Sequence, residues 1–347
     1  MIMETKRITI NMKLPLEEQL AKAGQLLKDG QLVAFPTETV YGLGANGLDE
    51  MAAKKIYTAK GRPSDNPLIL HIAEKDDIIP LTEEVPANAR ALIDAFWPGP
   101  LTLVVKRSAL VPRLTAGGLD TVAVRMPDAE VARALIRMAG VPIAAPSANL
   151  SGRPSPTTAK TVAEDMDGRI AMIVDGGACQ IGVESTIVDC TSPVPTVLRP
   201  GGITVEMLTD VLGVVEIDKG LTDESVKPKA PGMKYRHYAP EAETILFEGD
   251  AVRVRDGLAK AAADALATGR RVGALVSREL ADVLSDDVIT VSYSGKVELA
   301  NLLYDTLRSF DEKGADIIYL EGVDESDIGL AVMNRLRKAS GNRIVTA

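Results

Sequence analysis

In E-E-Q-L-A-K-A-G-Q-L-L-K-D (17–29) the apolar residues recur at helical spacing, and Gly30 is placed to end the helix. Q-L-V-A-F-P then reads as a buried strand stopped by Pro36, and T-E-T-V-Y-G-L-G as the turn after it. Further helices are expected over 49–59, around 86–96 and over 128–139. Between them P-L-I-L-H-I-A, L-T-L-V-V-K, T-V-A-V-R-M, V-P-I-A-A-P, A-M-I-V-D, T-I-V-D-C and T-V-L-R-P read as strands. The order of elements predicts an α/β fold with mixed connections rather than a strict βαβ repeat.

A break falls between about 215 and 240, where K-G-L-T-D-E-S-V-K-P-K is polar. Beyond it, strands near 243–247, 271–276, 288–292 and 316–320 alternate with helices near 251–268, 278–285, 297–313 and 327–339. That alternation predicts a small three-layer, largely parallel α/β domain. The expected division is a first domain over 1–212, a linker over 213–240 and a second domain over 241–347, in keeping with a length of 347 residues.

Composition narrows the classes. Aromatic residues are 3% of the chain, so the core should be aliphatic. No apolar run approaches the ~20 residues that cross a bilayer, and the N-terminus lacks the apolar stretch of a secretory signal. Cys179 and Cys190 have no metal-ligand spacing, and a reducing cytoplasm is the expected compartment. The net charge of −9 is uneven: residues 1–240 balance to −3 and residues 241–347 to −6. The last third is therefore a poor nucleic-acid surface, while a local basic patch could still lie in the first part.

Polar residues gather at strand ends, where α/β folds bind ligands. Thr37, Glu38 and Thr39 follow a buried strand, which also suits a turn capped by hydroxyls. K-G-R-P-S-D-N-P (60–67) can present Lys60, Arg62 and the Asn66 amide to phosphates. His71 lies in the apolar strand just after it, as a core histidine or as part of a site. Thr121 and Arg125 share one face of an extended strand. Arg125, flanked by a valine, needs an acidic partner, so it serves a structural ion pair or clamps a substrate carboxylate. Ser147 and Asn149, two apart, aim donors to one side, as a phosphate or ribose site or as a capped turn. Ser185 and Arg199 stand at strand boundaries.

Several chemistries lack their motif. There is no G-x-x-x-x-G-K-[ST] loop, no G-x-G-x-x-G turn, no G-x-S-x-G elbow and no H-E-x-x-H. Two histidines in the chain argue against a histidine-built metal site. An enzyme with this inventory would work by positioning charged substrates and stabilising charge with cations.

Taken together and in order, P-T-E-T-V-Y-G-L, K-x-R-P-x-x-N-P-L, S-A-N-x-S and E-S-T-I-x-D resemble the Sua5/YrdC family of threonylcarbamoyl-AMP synthases. A-P-G-M-K-Y-R-H-Y-A-P (230–240) and the extra C-terminal domain resemble its longer, Sua5 branch. The resemblance implies a twisted, mixed α/β YrdC-like domain with a basic concavity, followed by a Rossmann-like α/β/α domain. It implies that L-threonine, bicarbonate or CO₂, and ATP with Mg²⁺ give threonylcarbamoyl-adenylate and pyrophosphate. The product would pass to a tRNA threonylcarbamoyl transferase for N6-threonylcarbamoyladenosine at tRNA position 37.

Carried over residue by residue, Thr39, His71, Arg125, the backbone at Ala145, and Ser185 would hold threonine. Arg62, Asn66, Thr121, Ser147, Asn149, Ser155, Arg199 and His237 would hold the nucleotide. Lys60, Arg62 and Arg199 would stabilise charge in the transition state, and no protein-ligated metal is expected. Lys234, Tyr235, His237 and Tyr238 would form a lid over the cleft. The rival reading is a non-catalytic module for double-stranded RNA or tRNA.

Overall fold

The computed structural model describes residues 4–221 and 238–347. The chain divides into two compact units: Met1–Ser151 with Ser155–Tyr235, and Gly152–Pro154 with Arg236–Ala347.

The first unit is built on one sheet of eleven strands. In chain order they are β1 (Lys6–Thr9), β2 (Val33–Phe35), β3 (Gly42–Asn46), β4 (Ile69–His71), β5 (Leu101–Lys106), β6 (Thr121–Arg125), β7 (Ile143–Ala144), β8 (Met172–Asp175), β9 (Thr186–Asp189), β10 (Thr196–Arg199) and β11 (Glu216–Ile217). Their order across the sheet is β1-β8-β2-β3-β7-β4-β6-β5-β9-β10-β11, with parallel and antiparallel neighbours mixed. The helices are α1 (Leu16–Lys28), α2 (Glu50–Lys60), α3 (Ala87–Phe96), α4 (Glu130–Ala139), α5 (Ala159–Met166) and α6 (Val205–Leu212).

Strand alternation sorts the core into layers. Val33 and Phe35 of β2 join Leu20, Leu27 and Leu135 of α1 and α4, whereas Ala34 joins Ala53 and Ile56 of α2. A strand covered on both faces reads as a continuous apolar run, as Q-L-V-A-F does. α1 approaches α4 closely because residue 24 is glycine: a Cβ there would stand 2.6 Å from that of Met138.

The stretch expected to be only a turn after Pro36 contributes a strand, β3, paired antiparallel with β2. Its glycines allow close packing: a Cβ at Gly44 would lie 2.9 Å from both the Phe35 ring and Ile143. β1, β11 and the last strand of the chain also go beyond the expected set; each is two to four residues long and largely exposed.

The second unit holds β12 (Glu243–Glu248), β13 (Val272–Ser277), β14 (Ile289–Tyr293), β15 (Ile317–Glu321) and β16 (Ile344–Thr346), all parallel, in the order β14-β13-β15-β12-β16. Its helices are α7 (Ala251–Ala267), α8 (Arg278–Ala281), α9 (Lys296–Glu312) and α10 (Gly329–Ala339). Helix α8 stops four residues short of the expected 285. β13 shows the layering: Val272, Ala274 and Val276 pack with Val254 and Leu258 of α7, while Gly273 meets the Phe310 ring of α9. Among the described residues no helix is long and apolar enough to cross a membrane.

Candidate active site

Cross-strand register gathers the first group of candidates. His71 of β4 pairs with Arg125 of β6, and Arg125 with Thr102 of β5, so the three side chains form one row on one face. The neighbouring row of that face is apolar, with Ile69, Ala123 and Val104 clustered beside Ile187 and Leu198. Three buried polar residues thus stand in line at the margin of an apolar floor.

Arg125 is 4% exposed. Its Nη2 donates to Glu38 Oε1 at 2.6 Å, its Nη1 to Thr39 Oγ1 at 2.9 Å, and its Nε to the Gly99 carbonyl at 3.4 Å. The loop after β2 delivers both partners. Thr37 Oγ1 lies 2.9 Å from Thr39 Oγ1 and donates to the Val40 carbonyl, while the Glu38 carbonyl accepts from the amides of Gln180 and Ile181. The turn capped by hydroxyls and the arginine-holding site are thus one structure. Burial raises the Glu38 pKa, but the charge and hydrogen bond of Arg125 outweigh it, and the carboxyl ends below its ordinary range.

His71 is buried, with Nδ1 3.2 Å from the Ile69 carbonyl. Burial, and then the Arg125 charge, pull its pKa to about 3, so the ring is neutral at physiological pH. In the tautomer that donates from Nδ1 to the Ile69 carbonyl, Nε2 is an acceptor. The amide of Ala145 donates to that same carbonyl at 2.9 Å.

Ser185 and Arg199 extend the polar layer. Ser185 Oγ lies 2.8 Å from Thr102 Oγ1 and accepts from Arg199 Nη2 at 3.1 Å; Arg199 Nε donates to the Ser185 carbonyl at 3.0 Å. Arg199 is 6% exposed. Next along the chain from Ser185, buried Glu184 accepts from Ser155 Oγ at 2.6 Å.

A second group surrounds Lys60. Its ammonium donates to the carbonyls of Ser147 and Asn149, both at 2.5 Å, and is 3.5 Å from Asn149 Oδ1. Ser147 Oγ donates to Asn149 Oδ1 at 2.5 Å. Lys60 is the last residue of α2, where a cation is favoured, and Gly61 turns the chain away with φ 63°. Arg62 donates to the carbonyls of Asn66 and Pro67 within its own loop, and Tyr57 also donates to the Asn66 carbonyl. Thr121, at the head of β6, is half-buried and in register with Lys106, four residues from Arg125 along the strand.

Lys234, Tyr235 and His237 lie outside the described residues. Tyr238 is described in the second unit: its ring is buried and stacked on Tyr304, 5.2 Å between centroids. The sequence reading gave no site role to Glu38, Thr102 or Glu184. The need of Arg125 for an acid pointed toward a carboxylate without singling out Glu38; Glu184 opens the E-S-T-I-x-D motif but carried no role there, and nothing local marked Thr102.

The comparisons with known proteins agree over the whole chain. Residues 25–201 match the Sua5/YciO/YrdC family model, described as telomere recombination, and residues 203–341 match the threonylcarbamoyl-AMP synthase C-terminal domain. A threonylcarbamoyl-AMP synthase of Bacillus subtilis is 51% identical over 351 residues, covering 99% of this chain and 100% of that one. Another, of Pyrococcus abyssi, is 52% identical over 342 residues, covering 97% and 99%. The solved structure of P. abyssi Sua5 complexed with L-threonine superposes with a TM-score of 0.92 at 49% identity, covering 100% of both chains. Escherichia coli YciO, at 22% identity and a TM-score of 0.51 over 57% of this chain, shares the fold. The chain belongs to the Sua5/YrdC family of threonylcarbamoyl-AMP synthases, in the two-domain form that carries the Sua5 C-terminal domain.

Proposed function

We propose that the protein makes threonylcarbamoyl-adenylate and pyrophosphate from L-threonine, bicarbonate or CO₂, and ATP. The observation that carries this reading at the level of residues is the buried layer Thr39–Arg125–Thr102–Ser185–Arg199. It sets two guanidinium groups and hydroxyls around an apolar floor, which suits a small amino acid with a carboxylate. Arg125 would receive that carboxylate, with Thr39, Ser185, His71 and the Ala145 backbone completing the threonine pocket. Arg62, Asn66, Thr121, Ser147, Asn149, Ser155 and Arg199 would hold the nucleotide; His237, also expected there, lies outside the described residues.

The chemistry needs no protein nucleophile. The threonine amine captures CO₂, and a carbamate oxygen attacks the α-phosphate, displacing pyrophosphate. Arg199 and Arg62 would stabilise the charge gathering on the phosphates. Lys60, bonded to the Ser147 and Asn149 carbonyls, would both add positive potential and hold the loop that presents those side chains. The buried carboxylates here, Glu38 and Glu184, are engaged by Arg125 and Ser155, so Mg²⁺ would arrive with ATP and neutralise phosphate charge. The product suits a tRNA threonylcarbamoyl transferase as consumer, and the cytoplasm as the place of reaction.

The RNA-binding rival fits less well. A surface that tracks phosphates exposes its cations, whereas Lys60, Arg125 and Arg199 are 2%, 4% and 6% exposed. Pyrophosphate release from Mg-ATP and bicarbonate, with L-threonine, with L-valine and with no amino acid, tests the proposal. Release that depends on threonine is expected; release indifferent to the amino acid would sink it.

A further inference from the structure

The second unit includes three residues from far up the chain, Gly152–Pro154. The chain enters this segment from Ser151 and leaves it at Ser155, between Asn149 and Ser155 of the proposed nucleotide site. Gly152 has φ 96°, which suits glycine, and its carbonyl accepts from the Ala239 amide at 3.1 Å. Arg153 pairs with Glu241 at 2.9 Å, partly exposed to solvent. The strongest grip is on Pro154. Its carbonyl accepts two hydrogen bonds from one guanidinium, Arg308 Nη2 at 2.6 Å and Nε at 3.1 Å.

Arg308 stands on α9 and is 7% exposed. The same helix face carries Tyr304, stacked on Tyr238, and Asp311, whose carboxylate accepts from the amides of Glu241 and Ala242. One helix thus fixes both the start of the chain after the linker and the segment 152–154. A buried arginine that spends a bidentate interaction on a carbonyl 154 residues away acts on that carbonyl's position.

The peptide plane makes the consequence specific. The Pro154 carbonyl shares a rigid plane with the amide nitrogen and Cα of Ser155. Prolines at 154 and 156 remove much of the freedom on either side. Fixing the Pro154 oxygen therefore orients Ser155, whose hydroxyl is committed to Glu184. Upstream, the Ser151 amide donates to the Lys60 carbonyl and the Leu150 amide to Asp165.

We propose that Arg308 is a positioning residue for the nucleotide: through the Pro154 carbonyl it holds the segment that sets Asn149 and Ser155, which gives α9 of the C-terminal unit a part in ATP binding. This rests on the reading of those two residues as nucleotide-holding. The test uses the full chain with Arg308→Met, which keeps an apolar stem, and Arg308→Lys, which keeps one donor group. Arg308→Met is expected to raise the KM for ATP about tenfold while the KM for threonine stays within about twofold. It should also speed amide hydrogen exchange across 150–156 but not in α1 or β5, and Arg308→Lys should lie between it and the native chain. An unchanged KM for ATP, or equal rises for both substrates, overturns the proposal. If Arg308→Met does not fold, Arg308→Lys decides it: an ATP-selective rise of about threefold supports the proposal, and no rise overturns it. If the native chain releases no pyrophosphate with threonine, the functional reading fails separately. The exchange arm then judges the grip on its own: faster exchange at 150–156 upholds it, and unchanged exchange overturns it.

Discussion

A guanidinium buried beside Val124 is stable only because Glu38, Thr39 and the Gly99 carbonyl meet it. Three of its five N–H groups serve the protein, and the remainder can serve a ligand. Arg125→Lys keeps the charge beside Glu38 but loses the fork. A charge-assisted hydrogen bond is worth about 2 kcal/mol, so the KM for threonine should rise about 30-fold, with that for ATP within about twofold. Steady-state kinetics with each substrate varied in turn checks this. His71 offers a prediction in pH. Its folded pKa, about 3, lies below its ordinary value of 6.5, so the unfolded chain binds the proton first as pH falls. The neutral ring's contribution is therefore complete above pH 6.5 and declines as pH drops toward 3. Between pH 6.5 and 5 the native chain should lose about 1.5 kcal/mol of unfolding free energy that a His71→Gln variant keeps. Urea titrations of both at the two pH values read the difference. Glu38, with its pKa lowered from 4.5, adds its own loss as pH falls through 4.5 toward that lower value, so nearly all of it lies below that window.

Among elements, the approach of the chain leaving β10 to the chain entering β9 shows how backbone shape serves the site. A Cβ at Gly201 would meet the backbone of Glu184, Ser185 and Thr186. No flexible side chain could yield there, so Gly201→Ala should cost about 1–3 kcal/mol and shift Ser185 and Glu184 together. Thermal unfolding should show a lower Tm, and the folded fraction should have reduced kcat/KM for threonine. What was legible in the sequence divides along the same physical line. Local periodicity marked the buried strands and long helices, because a strand such as β2 or a helix such as α9 carries its burial in its own residues. β3 was missed as a strand because Gly42 and Gly44, which look like turn residues, are there to let Phe35 and Ile143 approach. β1, β11 and β16 have few buried residues to write a pattern. Arg125 and Arg199 could be singled out as costly or boundary residues, but their partners Glu38 and Ser185 are brought to them by the sheet, 87 and 14 residues away. The hold of Arg308 on Pro154 lay beyond any local pattern for the same reason.

For the whole molecule, the distribution of charge argues about partners. The chain carries −9, of which −6 falls in residues 241–347, and of its site cations Lys60, Arg125 and Arg199 are buried and engaged. Binding to nucleic acid without sequence preference draws its strength from exposed cations that release counterions, and weakens steeply with salt. Neither the net charge nor the burial of Lys60, Arg125 and Arg199 supplies that strength. On the proposed function the adenylate passes to the tRNA through a separate transferase, and synthesis itself then requires no tRNA to dock here. Unmodified tRNA at about 0.15 M salt should therefore bind more weakly than roughly 10 μM, the middle of the range for non-specific binding. It should also leave threonine-dependent pyrophosphate release unchanged. Filter binding and the release assay, run across a salt series, check both. Tight binding at about 0.15 M salt would need exposed cations or salt-resistant contacts beyond Lys60, Arg125 and Arg199, and would reopen the case for a direct role in handling tRNA.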